Sequence, residues 1–333
     1  MKRRLLGRAG IEVSEIGLGC LSFSAYYAAG GITQETADSI VGRAIEKGID
    51  FFDTAAMYSG SESLLGHSLK GRRKEVSIAT KFGVVLDASG RPAGMDAIPE
   101  NVRRSCDESL MRLGVDLIDL FYLHRIDRAV PIEETVGAMA DLVRAGKIRA
   151  IGLCEVSAAT IRRAHGIHRI AAVQSEYSLW SRDVEVAVLP CCRDLEIALV
   201  PYSPLGRGFL SGQISSADSF AANDVRRAIP RFQRDNLARN QALLSSLHLV
   251  AQRRGATKPQ VALAWLLRRG DDIVPIPGTR QIKYVEQNAA AAELRLDDED
   301  IGMLDRAFAP ERVFGDRHSD SARRFVDAEP STA

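Results

Sequence analysis

The stretch Ile49-Asp50-Phe51-Phe52-Asp53-Thr54-Ala55-Ala56-Met57-Tyr58 reads as a short apolar strand that ends on a charge and runs into a loop carrying a tyrosine. Before it, Ala37, Ile40, Val41, Ala44 and Ile45 recur at helical spacing between Thr33, an N-cap, and Gly48, a C-terminal stop. The alternation continues outward. A helix from Glu62 is followed by a strand over 76–81, a helix over 99–113, a strand over 117–124, a helix over 131–145 and a strand over 148–154. Pro99 and Pro131 suit first helical positions, and Gly114 and Gly146 suit the residue past each end. Further on come a helix near 158–164, a strand over 171–174, a helix over 184–194, a strand over 197–202, helices over 241–253 and 258–267, a strand over 273–277, and a helix from Gln281. With an opening strand over 15–18 this makes eight strands interleaved with helices. Strict alternation demands a parallel sheet with right-handed crossovers, and eight units close into a barrel. The fold expected is α/β: a (β/α)8 TIM barrel in one domain over 1–333, with an N-terminal β-hairpin and extra helices and loops. The competing doubly wound sheet lacks its G-x-G-x-x-G turn, since Gly17-Leu18-Gly19 is too short and Gly206-Arg207-Gly208 follows the seventh strand. Residues 203–240, aperiodic and polar from about Ser211, read as a long loop over one face. Residues 311–333, with Arg317, His318 and Asp320, read as a polar, mobile tail.

Composition narrows the partners. The 333 residues are 46% hydrophobic with a net charge of +1 and no Lys/Arg run, which argues against a nucleic-acid or membrane-surface partner. No window approaches the roughly 20 apolar residues of a membrane span, and the basic start lacks the apolar stretch of a signal peptide. A cytoplasmic protein is expected, monomeric or weakly homo-oligomeric. The five cysteines form no C-x-x-C pair, and with His165 and His168 lying apart from them no metal-ligand set emerges.

In such a barrel the residues that close each strand face one mouth. In order they are Gly19, Asp53, Lys81, His124, Cys154, Gln174, Tyr202 and Pro277. Asp, Lys and His are costly to bury unless they pair or serve chemistry, so their shared position points to a site. Taken singly, Asp53 could cap a turn, Lys81 could reach water, His124 could be a core histidine and Tyr58 an ordinary loop tyrosine.

The block 53–58, the strand end Thr80-Lys81-Phe82-Gly83 and Leu123-His124-Arg125 together resemble the aldo-keto reductase superfamily. Ile151-Gly152-Leu153, Val173-Gln174-Ser175-Glu176-Tyr177-Ser178, the stretch 201–208 and Ile276-Pro277-Gly278-Thr279-Arg280 with Asn288 extend the resemblance from about Val13 to Leu304. The chemistry expected is carbonyl reduction. Hydride reaching a carbonyl carbon leaves charge on the oxygen, which needs a proton donor and electrostatic help. Tyr58 is the candidate general acid. A free phenol, with a pKa of about 10, donates poorly near neutrality unless a cation stabilises its phenolate. Lys81 is that cation, Asp53 holds it charged and aimed, and His124 is a second donor that orients the carbonyl. The resemblance implies the same four roles, with no metal.

Protein groups cannot supply hydride, so a nicotinamide is required. Tyr202 is the candidate to stack on it, or else a barrel-packing residue. The resemblance places Gln174 and position 154 at the carboxamide. It usually has Ser at 154 and often Asn at 155, where Cys154 and Glu155 stand here; a thiol is a weaker hydrogen-bond partner than a hydroxyl. Ser203, Pro204, Leu205, Gly206 and Arg207 are expected along the pyrophosphate. Gly278, Thr279 and Arg280 open a helix whose free amides attract an anion. Arg280 and Lys283 are placed for a 2′-phosphate, favouring NADPH over NADH, although both could be solvated helix-face charges. Asn288 is implied at the adenine, and Gln287 and Gly19 complete the cofactor set. Met57, Trp180, Phe23 and Tyr26 or Tyr27 offer an apolar wall for an aldehyde or ketone, with Trp180 equally able to pack within its loop. Two other functions compete: a cofactor-sensing regulatory subunit resembling the potassium-channel β subunits, and a Schiff-base aldolase using Lys81, which pairing with Asp53 disfavours.

Overall fold

The structure, a computed structural model, describes residues 1–25, 30–88, 90–221 and 224–327. An antiparallel hairpin, β1 (Arg3–Leu5) and β2 (Glu12–Ser14), opens the chain. The barrel proper follows: β3 (Leu18–Gly19), α1 (Gln34–Glu46), β4 (Phe51–Asp53), α2 (Ser61–Ser68) and β5 (Ser77–Phe82). A second hairpin, β6 (Val84–Leu86) with β7 (Pro92–Met95), interrupts the alternation before α3 (Pro99–Leu113) and β8 (Ile118–Leu123). Next come α4 (Ile132–Arg144), β9 (Ile148–Cys154), α5 (Ala158–Ile167), β10 (Ile170–Glu176), α6 (Val188–Asp194) and β11 (Ala198–Tyr202).

Local chemistry sets these boundaries. Thr33 accepts from the Thr36 N–H as N-cap of α1, Pro99 is in the first turn of α3, and Gly114 ends that helix at φ 65°. Only glycine takes that left-handed turn without cost, which is why it stops a helix. Pro131, expected inside α4, is its N-cap instead. The helix expected over 184–194 is broken into a 3-10 turn, Asp183–Glu185, and the shorter α6.

β3, β4, β5, β8, β9, β10 and β11 form one parallel sheet in that order. The segment 273–278 closes it, by parallel bridges from Ile273 to Leu199 and from Gly278 to Gly19. Val274 donates to the Leu199 carbonyl at 2.9 Å, and Gly17 donates to the Pro275 carbonyl at 2.9 Å. Pro275 and Pro277 lack an N–H, so this eighth staves off a regular ladder and appears only as bridges. Closure is tight: a Cβ on Gly278 would lie 2.7 Å from the Gly19 carbonyl oxygen. Inside, Phe51, Ala79, Leu120, Tyr122, Ala150, Ala172, Val200 and Val274 fill the barrel, and Leu6, Ile11 and Val13 of the first hairpin plug its base. Tyr122 fits because residue 152 is glycine; a Cβ there would come 2.3 Å from the ring.

The long loop is partly ordered into turns. Gly206–Ser211, Ala217–Ser219, Val225–Ala228 and Pro230–Phe232 are 3-10, followed by α7 (Arg234–Asn240), α8 (Leu244–Arg253) and α9 (Lys258–Leu267). The remaining helices are α10 (Ile282–Ala290), α11 (Asp298–Ala307) and the single turn α12 (Asp320–Arg323). The tail up to Asp327 is docked rather than loose: Asp327 accepts from the Ser157 N–H and hydroxyl, both at 2.9 Å, and Val326 is buried.

Candidate active site

Strand register, with the loop that follows β4, brings the four candidate chemical groups together. β4 ends on Asp53, β5 carries Lys81 one layer further, and His124 follows the end of β8 with its N–H bonded to the Phe82 carbonyl at 2.9 Å. Asp53 Oδ1 accepts from Lys81 Nζ, which also donates to the Thr54 carbonyl at 2.7 Å. Asp53 Oδ2 accepts from Gln174 Nε2 at 2.8 Å. Asp53 and Lys81 are 2% and 1% exposed, so neither charge is met by water. Tyr58 lies in the loop beyond β4, half-buried. Lys81 Nζ is 5.2 Å from its ring centre, and the His124 ring meets it edge-on at 5.9 Å. Met57 beside it is also half-buried.

Burial raises the Asp53 carboxyl, opposed by Lys81 and Gln174. Burial also holds His124 well below the usual imidazole range, helped by the positive charges of Arg125 and Lys81. His124 is therefore neutral near pH 7, a donor through one ring N–H and not a store of protons. Burial pushes the Cys154 thiol up to about 12, so it stays protonated. A thiol in that state is a poor nucleophile, and Cys154 is expected to remain unmodified when the native protein meets iodoacetamide at pH 7.5. Mass spectrometry would detect labelling; modification at the rate of an exposed thiol would contradict the burial.

Several of the residues expected on the nucleotide side are already engaged. Gln174, expected at a carboxamide, is tied to Asp53. Arg207 Nη2 donates to Glu176 Oε2 at 2.8 Å. Arg280 donates to the carbonyls of Ser22, at 2.7 Å, and Ser24. Thr279 Oγ1 accepts from the Gln281 N–H at 3.0 Å, so α10 begins at Ile282 with Gln281 as N-cap. Lys283 is exposed and Gln287 half-buried, whereas Asn288 is buried. Just beyond β11, Ser203, Gly206, Arg207 and Gly208 take left-handed φ of 48, 57, 52 and 96°, strained at Ser203 and Arg207 and free of cost at the two glycines. Leu205 and Pro204 lie within this stretch. Tyr202 is half-buried, with a hydroxyl lacking a hydrogen-bond partner among the described residues. An accessible flat ring, a small-residue turn and two outer cations fit a dinucleotide.

Two members of the expected apolar wall are placed elsewhere. Phe23 is fully buried in the core between helices and barrel. Trp180 is 2% exposed, stacked 3.8 Å from Phe209 and edge-on to Phe232, which is the loop-packing alternative. Tyr26 and Tyr27 lie outside the described residues.

The polar tail supplies what the sequence did not disclose. Glu155, at φ 50° just past β9, is buried and accepts from Arg317 at 2.9 and 3.0 Å and from the Glu176 N–H at 2.9 Å. Burial alone would raise its carboxyl; Arg317, His318 and Arg125 outweigh that and hold it well below the usual range. The available signal was a carboxylate at a buried strand end, which requires a cation. Periodicity says nothing about which one.

Known proteins place this chain. The model of the Aldo/keto reductase family matches residues 15–309. "Probable aldo-keto reductase 1" of Glycine max is 44% identical over 324 residues, covering 96% of this chain and 92% of that protein. Among solved structures, the glycerol dehydrogenase AKR11B4 from Gluconobacter oxydans superposes with a TM-score of 0.84 at 26% identity, covering 99% of this chain and 98% of that one. The thermostable aldo-keto reductase Tm1743, solved with the inhibitor epalrestat, gives a TM-score of 0.74 at 28% identity over 92% of this chain and 100% of that one. With nearly its whole length matched in sequence and in fold, the chain belongs to the aldo/keto reductase family.

Proposed function

We propose that this protein is an NADPH-dependent carbonyl reductase that converts aldehydes or ketones to alcohols, with Tyr58 as general acid. The observation that supports it most is the buried Lys81 ammonium, held by Asp53 and 5.2 Å from the centre of the half-exposed Tyr58 ring. When bound, a reduced nicotinamide supplies hydride to the carbonyl carbon. Charge then building on the carbonyl oxygen is met by the Tyr58 O–H and a His124 N–H. Neutral His124 orients that oxygen without competing as the proton source. Lys81 stabilises the phenolate left on Tyr58, Asp53 keeps Lys81 charged and aimed, and Gln174 fixes Asp53 through its second oxygen.

The cofactor residues proposed are Tyr202 against the nicotinamide, Gly19, Cys154 and Gln174 beside it, 203–207 along the pyrophosphate, and Gln287 and Asn288 toward the adenine. Arg280 and Lys283, with Gly278 and Thr279, take the 2′-phosphate. Loss of reduced-cofactor absorbance when the protein is mixed with NADPH and an aromatic aldehyde tests the activity, and separates it from a cofactor-sensing role. Arg280→Ala is expected to weaken NADPH about tenfold or more, the loss of a charged hydrogen bond, while NADH changes far less. Fluorescence titration with both cofactors checks this. Equal weakening would leave Arg280 only its bonds to Ser22 and Ser24.

A further inference from the structure

Arg125 directly follows His124 at the mouth. Its Nη1 donates to the His124 carbonyl at 2.7 Å, and among the described residues its guanidinium has no ion pair and no other hydrogen bond. The neighbouring charges are matched without it. Lys81 holds Asp53, Arg207 is 2.8 Å from Glu176, and Arg317 bonds both oxygens of Glu155. Glu155 is the acidic group whose field reaches Arg125, yet one of its oxygens also takes the Glu176 N–H. Arg125 is half-buried, and its charge also bears on Tyr58, Tyr202 and Cys154. A partly desolvated guanidinium with one edge uncommitted is costly to leave unpaired, which is the condition of a group that takes its partner from a ligand.

We infer that Arg125 anchors a carboxylate on the substrate, so that this protein reduces aldehydes or ketones that carry a carboxylate. The Nε and Nη2 edge forms a bidentate fork on the carboxylate while the carbonyl meets Tyr58 and His124. The inference rests on the reductase reading and narrows its substrate class.

The test compares 4-carboxybenzaldehyde with its neutral methyl ester at saturating NADPH, in wild type, Arg125→Leu and Arg125→Lys. Wild type is expected to favour the carboxylate about tenfold or more in kcat/KM, mostly through KM, as the charged hydrogen bond predicts. Arg125→Leu removes that preference, and Arg125→Lys keeps part of it because the charge remains but the fork is lost. NADPH titration of each variant verifies the fold. Binding of the product 4-(hydroxymethyl)benzoate to the NADPH complex, read by fluorescence, should weaken about tenfold or more in Arg125→Leu. Equal use of both aldehydes by wild type, or a proportional fall for both in Arg125→Leu, overturns the inference. If wild type reduces neither, the reductase reading fails, and product binding still decides the role of Arg125.

Discussion

Tyr58→Phe is expected to lower kcat for aldehyde reduction by about 10²- to 10⁴-fold, the range for a positioned general acid. The aromatic ring remains to fill its half-buried place in the loop, edge-on to His124 at 5.9 Å. NADPH affinity and the unfolding midpoint should therefore stay near those of wild type, because the missing hydroxyl acts mainly in the transition state. Steady-state kinetics beside a cofactor titration separates the two effects. A variant retaining near-normal kcat would remove Tyr58 from the role of acid and leave His124 as the proton source, at odds with its neutral state.

Lys81→Met should abolish most turnover and also cost stability. It leaves Asp53 buried with Gln174 as its remaining side-chain donor among the described residues. Stranding one member of a buried ion pair costs about 3–5 kcal/mol at neutral pH. The sign of the pH dependence follows from Asp53. In the variant its folded-state pKa lies above the unfolded value of about 3.9, because burial raises it and Lys81 no longer opposes. The deficit is therefore absent below about pH 4 and deepens as pH rises through the folded value. Urea midpoints by circular dichroism from pH 4 to 8 would show the gap from wild type widening. The double variant Lys81→Met/Asp53→Leu should recover much of the stability and none of the activity. A single variant as stable as wild type, with a flat pH profile, would mean that Asp53 is not a desolvated carboxylate.

Most of the barrel was legible because its signals are local. Pro99, Gly114 and the apolar spacing between them bound α3 over Pro99–Leu113, as the sequence predicts. The strand ending on Cys154 was equally plain. Less legible were elements whose form depends on partners far along the chain. The hairpin of β6 and β7 has no strong period in its exposed strands, whereas the break before α6 is announced by Pro190, which has no N–H for the carbonyl four residues back and fits only the first turn of a helix.

The sequence by itself determined the alternation of strands and helices and which polar residues close the strands. Both depend only on neighbours within a few turns of chain. It also placed Asp53, Lys81 and His124 at one end of the barrel, because parallel strands present their ends together. Only the tertiary structure decided the partners. Glu155 takes Arg317 from 162 positions away, Gln174 reaches Asp53 across 121, and Arg207 and Arg280 are held by Glu176 and by the Ser22 and Ser24 carbonyls. A buried charge must find an opposite charge or a dipole, and which one it finds depends on the groups that share its desolvated space. That space exists only once the barrel has closed and the tail has docked, and among the described residues its pairings leave Arg125 with an open edge.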